Sequence, residues 1–159
     1  MIGSQSILGQ LPDAPRSLRV SMEADLYPAN KPDLAELVDG SIGEGSHFHE
    51  QFGYYAQGVG PETAILPAGW ERRLVPIKNA NTGGVEGLCL DVHDLAIAKC
   101  VAGREKDLAF LRELARLRLV KRATLLERLA ETRLDPPVRK AVTGRIERAF
   151  AVAPKRTVR

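Results

Sequence analysis

An α+β fold, a small mixed β-sheet flanked by helices with a C-terminal helical layer, is what three features of this 159-residue chain predict. Between Ser17 and Leu26 the residues alternate. Leu18, Val20, Met22, Ala24 and Leu26 share one face, and Arg19, Ser21, Glu23 and Asp25 the other. A period of two marks a half-buried strand. Two more strand-like runs, Arg72 to Lys78 and Val85 to Leu90, flank the turn-rich Asn79-Ala80-Asn81-Thr82-Gly83-Gly84, the composition of a hairpin connection. From His93 onward the period becomes helical, with Leu108, Leu111, Leu114 and Ala115 on one stripe. The expected organisation is a single domain over 1–151, mainly sheet over 1–91 and helical over 92–151, then a basic tail over 152–159.

Met1-Ile2-Gly3-Ser4 reads as the end of a strand entering a turn, with a short helix from Ser4 to Leu11 stopped by Pro12 and Pro15. Pro28 and Asn30-Lys31-Pro32 close the alternating strand. A short helix over Asp33 to Asp39 should stop at Gly40. Ser46 to Gln51 forms a helical turn and Phe52 to Val59 a strand, with strand resuming over Thr63 to Leu66. Asp91 is a candidate N-cap for a helix that ends near Gly103. Further helices are expected over Glu105 to Arg118, Thr124 to Glu131 and Pro137 to Ala151, and no structure over Pro154 to Arg159.

Composition narrows the function classes. Hydrophobic content is 44% and charged content 27%, ordinary for a globular domain. No apolar run approaches the ~18 residues of a membrane span, and no basic-then-apolar leader opens the chain. A cytoplasmic protein without a membrane partner is expected. Cys89 and Cys100 fit no zinc spacing and should be buried thiols. The net charge of +3 is uneven: acidic from Glu23 to Glu71, basic from Lys99 onward. That asymmetry suits either a phosphate-binding surface or solvated helix faces. Aromatic content is only 5%, which argues against a platform for stacking single-stranded bases.

Glu23 and Asp25 occupy one strand face at i and i+2, about 7 Å apart. Paired carboxylates repel each other and attract a divalent cation, and Mg²⁺ takes one or two of them together with nucleotide phosphates. The competing reading is an exposed strand edge. Gly3-Ser4 lies where a strand meets a helix, and a glycine there lets backbone N–H groups approach a phosphate, although turns use that pair constantly. Lys99, Arg104 and Lys106 cluster at a helix break, where they could neutralise a triphosphate. Lys99 has apolar neighbours, so it either snorkels or pairs with Asp94 or Asp107. His47-Phe48-His49-Glu50 lacks further ligands at a recognisable spacing. There is no Walker A loop, dinucleotide fingerprint or nucleophile elbow.

The ordered set Gly3-Ser4, Glu23-x-Asp25, Leu66-Pro67-Ala68-Gly69-Trp70, Leu90-Asp91-x-His93-Asp94-Leu95-x-x-x-Lys99 and Ala102-Gly103-Arg104-Glu105-Lys106-Asp107 resembles a bacterial family of predicted nucleotidyltransferases. That family, long described as a domain of unknown function, is similar to abortive-infection nucleotidyltransferase toxins within the polymerase-beta-like superfamily. The resemblance covers roughly residues 1–132. It implies a sheet of the nucleotidyltransferase type, with Gly3 and Ser4 as the phosphate-holding turn and Glu23 and Asp25 as the metal-binding and catalytic acids. It gives Lys99 and Asp107 catalytic roles, with Lys99, Arg104 and Lys106 on the nucleotide. Glu62 and Asp91 are the two candidates for a third acid. The implied cofactor is Mg²⁺ (or Mn²⁺). The implied partners are an NTP, an RNA or protein acceptor and an antitoxin. The expected function is transfer of a nucleotidyl group to an acceptor hydroxyl within a toxin–antitoxin or phage-defence system. Glu23 stands where the superfamily usually has Asp, which leaves open an alternative: a nucleotidyltransferase-like binding module, either an antitoxin-like partner or a nucleotide sensor. A basic RNA- or DNA-binding domain is the third class.

Overall fold

The computed structural model describes residues 1–152; the expected basic tail, apart from its first residue, lies outside them. The fold is α+β, and the chain divides into two compact units. The first comprises Met1–Ala64 with Glu71–Asp91, the second Ile65–Trp70 with the described residues from Val92 to 152.

Four short strands lie in the first unit. β1 (Glu23–Leu26) pairs in parallel with β2 (Tyr55–Gly58), and β3 (Val75–Ile77) pairs antiparallel with β4 (Gly87–Cys89). They form two two-stranded sheets rather than one continuous sheet. The first two residues bridge them. Ile2 N donates to Asp25 O at 3.0 Å, Leu90 N donates to Met1 O at 3.3 Å, and Met1 N donates to Leu88 O at 2.6 Å. Backbone ladder bonds thus run from β2 through β1 and residues 1–2 to the end of β4.

β1 is shorter than the alternation predicts. Pro15 starts a 3₁₀ turn over Arg16–Leu18, and Val20 and Met22, assigned by alternation to the buried face, are 75% and 59% exposed. Only residues that find ladder partners become strand. The short helix expected from Ser4 is a 3₁₀ helix over Ser4–Gly9, and it buries Ile7. Thr63 to Leu66 forms no strand; Pro61–Thr63 is a 3₁₀ turn.

α1 (Ala35–Ile42) runs through Gly40, where an exposed glycine weakens but does not break a helix. It ends at Gly43, where any Cβ would stand 2.3 Å from Asp39 O. α1 covers β2: Asp39 Oδ1 accepts from Gly58 N at 2.7 Å. α2 (His47–Phe52) is capped by Ser46 Oγ, which accepts from His49 N at 3.2 Å. It takes Phe52 out of the expected strand.

The second unit is helical: α3 (Val92–Ala102), α4 (Glu105–Arg116), α5 (Arg122–Ala130) and α6 (Pro136–Val152). Its core includes Leu95, Cys100, Leu111, Leu114, Leu125, Leu129, Val142 and Ile146, all nearly or fully buried. Each such side chain contributes about 1.5–3 kcal/mol. Both cysteines are buried and free, as expected, and burial pushes the Cys100 thiol up to about 12. No helix among the described residues is long and apolar enough to cross a membrane.

Candidate functional site: an acid pair on a glycine turn

Strand register builds the candidate site in the first unit. Glu23 lies opposite Tyr55 and Asp25 opposite Gln57. Residues paired across a ladder point to the same side, and neighbours along a strand point to opposite sides. One face of the β1–β2 pair therefore carries Glu23, Asp25, Tyr55 and Gln57. The other carries Ala24, Leu26, Ala56 and Gly58, with Ala56 buried and Gly58 held under the α1 backbone. Both acids are half-buried.

Asp25 also meets the Gly3-Ser4 turn. A Cβ placed on Gly3 would stand 1.6 Å from Asp25 Oδ2, so the carboxylate occupies the space a side chain would fill. Ile2 N holds the Asp25 carbonyl from below, and Ser6 Oγ and Ser6 N both donate to Gly3 O, at 2.6 and 3.0 Å, fixing the turn. Ser4 begins the 3₁₀ helix. The turn and the acid pair, twenty residues apart in sequence, are one locus.

Tyr55 was not visible to motif reading. Desolvation, then the carboxylates of Glu23, Glu44 and Asp25, push its phenol above the ordinary value, so it stays a neutral donor at physiological pH. Glu44 thereby joins the local field. The two third-acid candidates make other contacts: the Glu62 carboxylate folds back over Gly60, and Asp91 Oδ2 accepts from Gln10 Nε2 at 3.4 Å. Among the described residues, no group of three or more His, Cys, Asp or Glu is gathered in a way that could hold a metal ion.

In the second unit, Gly103 adopts φ +66° after α3, with the Arg145 guanidinium packed where its Cβ would be. Arg145 Nη1 donates to Cys100 O at 2.6 Å and Val101 O at 3.2 Å, capping α3. Arg104 is the N-cap of α4, and its backbone N–H donates to Asp107 Oδ2 at 3.3 Å. Asp107 is 1% exposed and binds two cations: Lys99 Nζ at 3.2 Å and Arg104 Nε at 2.7 Å. Burial alone would push its carboxyl up; the Arg104 hydrogen bond and the Lys99 charge outweigh that and hold it below the usual range. Lys99 takes Asp107 as its partner, while the fully buried Asp94 meets Arg128 Nε at 3.3 Å. Lys106 is exposed. An open cavity of about 640 Å³ in this unit, lined by residues including Ile65, Glu131, Arg133 and Arg139, contains none of the sequence-predicted site residues.

Residues 1–136 match the family described as nucleotidyltransferase of unknown function (DUF6036). The chain belongs to this nucleotidyltransferase family. Neither the curated proteins nor the solved structures contain a match. The match spans all of the first unit and α3 to α5 of the second, and stops as α6 begins.

Proposed function

We propose that this family member binds an NTP with Mg²⁺ and transfers its nucleotidyl group to an acceptor hydroxyl. The observation that carries the reading is the Asp25 carboxylate seated over Gly3, which joins the acid pair to a glycine turn. Two carboxylates on one half-buried face suit Mg²⁺, which needs one or two such ligands and completes its shell with phosphate and water. Glu23 and Asp25 would hold it. A bound ion would neutralise phosphate charge as the acceptor oxygen bonds to phosphorus and the pyrophosphate oxygen departs. The missing Cβ of Gly3 makes room for the Asp25 carboxylate beside the turn, and the neutral Tyr55 phenol can donate to a phosphate. For Lys99, Arg104 and Lys106 a phosphate role is proposed from the resemblance, and for Asp107 the supporting acid; the first two are engaged by Asp107.

A second reading is favoured by one observation: the described residues gather no third carboxylate into a metal site. It is a nucleotide-binding module with weakened transfer. Incubation with each labelled NTP, Mg²⁺ or Mn²⁺ and a cell extract separates the two. The enzyme gives a labelled product that Asp25→Ala abolishes, while the module binds NTP and labels nothing. Absence of NTP binding refutes both. The toxin–antitoxin setting predicts growth arrest on expression and rescue by a neighbouring gene.

A further inference from the structure

The two ends of the chain carry opposite charge. Residues 1–91 hold 6 Lys and Arg against 12 Asp and Glu, and residues 92–152 hold 14 against 8. Packing decides which of those 14 cations remain available. Lys99, Arg104 and Arg128 are held by the buried carboxylates of Asp107 and Asp94, and Arg139 and Arg145 by backbone carbonyls. Arg118, Lys121, Lys140 and Arg148 are exposed, and among the described residues none of them pairs with a carboxylate. On α6, Val142, Ile146 and Ala149 are buried, so Lys140, Gly144 and Arg148, at successive turns, lie on the outward face. Because Gly144 has no Cβ, the Arg148 guanidinium lies back over it, with Nη1 3.2 Å from where that atom would stand, which carries its charge toward Lys140. The Arg122–Glu147 pair sets the start of α5 against α6, and the turn carrying Arg118 and Lys121 leads directly into that start. Arg118 closes α4 with φ +58°, the one non-glycine positive φ among the described residues. Its N–H donates to Ala115 O at 3.0 Å, and Leu119 N donates to Leu114 O at 2.9 Å. Glycine is the usual residue in such a left-handed cap, because a Cβ strains it. An arginine held there against that strain points to a role outside the fold.

We propose that Arg118 and Lys121 at the α4–α5 turn, with Lys140 and Arg148 on α6, bind the phosphate backbone of a nucleic-acid duplex. A polyanion complements exposed cations that have no carboxylate partner. A single strand also needs exposed rings on which its bases stack. The aromatic residues of 92–152 are Phe110 and Phe150, one buried and the other half-buried. An anionic bilayer takes up large apolar side chains beside the cations, and the outward face of α6 offers Ala141, Gly144 and Ala151 instead. The proposal is independent of the nucleotide reading, and where that reading holds it makes the acceptor a nucleic acid.

Fluorescence anisotropy of labelled RNA and DNA duplexes of mixed sequence, titrated with the full chain between about 50 and 200 mM salt, tests the proposal. Each phosphate contact contributes about −0.9 to the slope of log affinity against log salt on B-form DNA. The Lys140→Gln/Arg148→Gln variant should flatten the slope by about 2, and Arg118→Gly by about 1. Arg118→Gly should also keep or raise the urea midpoint, since glycine relieves the left-handed cap; a purely structural residue would lower it. Arg72→Gln, at an exposed cation of the first unit, should change neither. Tighter binding of either duplex supports the proposal and names the partner. No duplex binding at the lowest salt, a slope that the substitutions leave unchanged, or the same flattening in Arg72→Gln overturns it. So does preferential binding of a single-stranded oligonucleotide or of phosphatidylserine vesicles, or an effect of the substitutions confined to self-association in sedimentation. NTP titration of the same proteins reads the nucleotide site separately, so each reading fails on its own measurement.

Discussion

Asp25 and Asp107 are the same residue in opposite settings. Asp107 is 1% exposed and bound by two cations from two helices. Asp25 is half-buried on a sheet face, with its carboxylate in the space that a side chain on Gly3 would fill and the N-terminal ammonium in its field. A buried carboxylate held by Lys and Arg is a fastening: its charge is consumed by the fold. A carboxylate over a glycine, on the same face as a second acid, has geometry suited to an incoming cation. Charge alone therefore does not mark a site; what surrounds the charge does.

The largest effect expected from breaking this contrast is at the fastening. Asp107→Ala leaves Lys99 buried without its partner and should cost about 3–5 kcal/mol, read by urea denaturation. Nucleotide affinity in the fraction that folds separates the two roles: a wild-type value assigns Asp107 to the fold alone, and a weakened one assigns it also to support of Lys99 and Arg104. Because the folded-state pKa of Asp107 is depressed, its contribution is complete above the unfolded value near 3.8 and fades as pH falls through the folded value. The stability gap between wild type and Asp107→Asn should therefore be constant from pH 7 to about 4.5 and close below it.

Next comes the glycine. Gly3→Ala drives a methyl into the Asp25 carboxylate and should destabilise by about 1–3 kcal/mol while weakening MgNTP binding at least ~10-fold. Combined with Asp25→Ala, the stability loss should be largely relieved, with a coupling of about 1–3 kcal/mol in a double-mutant cycle. Additive losses would show that the two residues are not one locus.

Lys99→Met sharpens the comparison from the other side. Arg104 still holds Asp107, so the loss should be smaller, about 1–2 kcal/mol. Thermal melts with and without MgATP and MgCTP separate its roles. An unchanged ligand-induced shift assigns Lys99 to the helix clamp alone, and a lost shift assigns it to phosphate as well. The smallest effect is expected at the exposed Arg122–Glu147 pair on α5 and α6: Arg122→Ala should leave the urea midpoint unmoved, because solvent screens such pairs.

Sequence reading served the helical unit far better than the sheet unit. α3 to α6 start and stop within about two residues of expectation, because the stripe, the Gly103 stop and the Asp135-Pro136-Pro137 break are local signals. Alternation overextends β1, since it cannot say where a ladder partner begins, and strand-like composition claims Phe52 although Ser46 caps a helix that runs through it. The Gly3-Ser4 turn and the acids were visible as separate pieces, but their contact depends on pairing between residues 2 and 25. Tyr55 and Gln57 escaped notice for the same reason: only the parallel register places them beside Glu23 and Asp25.

Arg145 reaches back 45 residues to cover the last carbonyls of α3 and the flat face of Gly103. It lies beyond residue 136, where the family match stops. The boundary of the recognisable sequence and the boundary of the folding unit are therefore different lines. A chain cut after residue 136 would keep every family motif and yet leave the α3–α4 corner, the seat of Gly103-Arg104-Glu105-Lys106-Asp107, without its cap. It would also expose the surfaces of α4 and α5 that α6 shields.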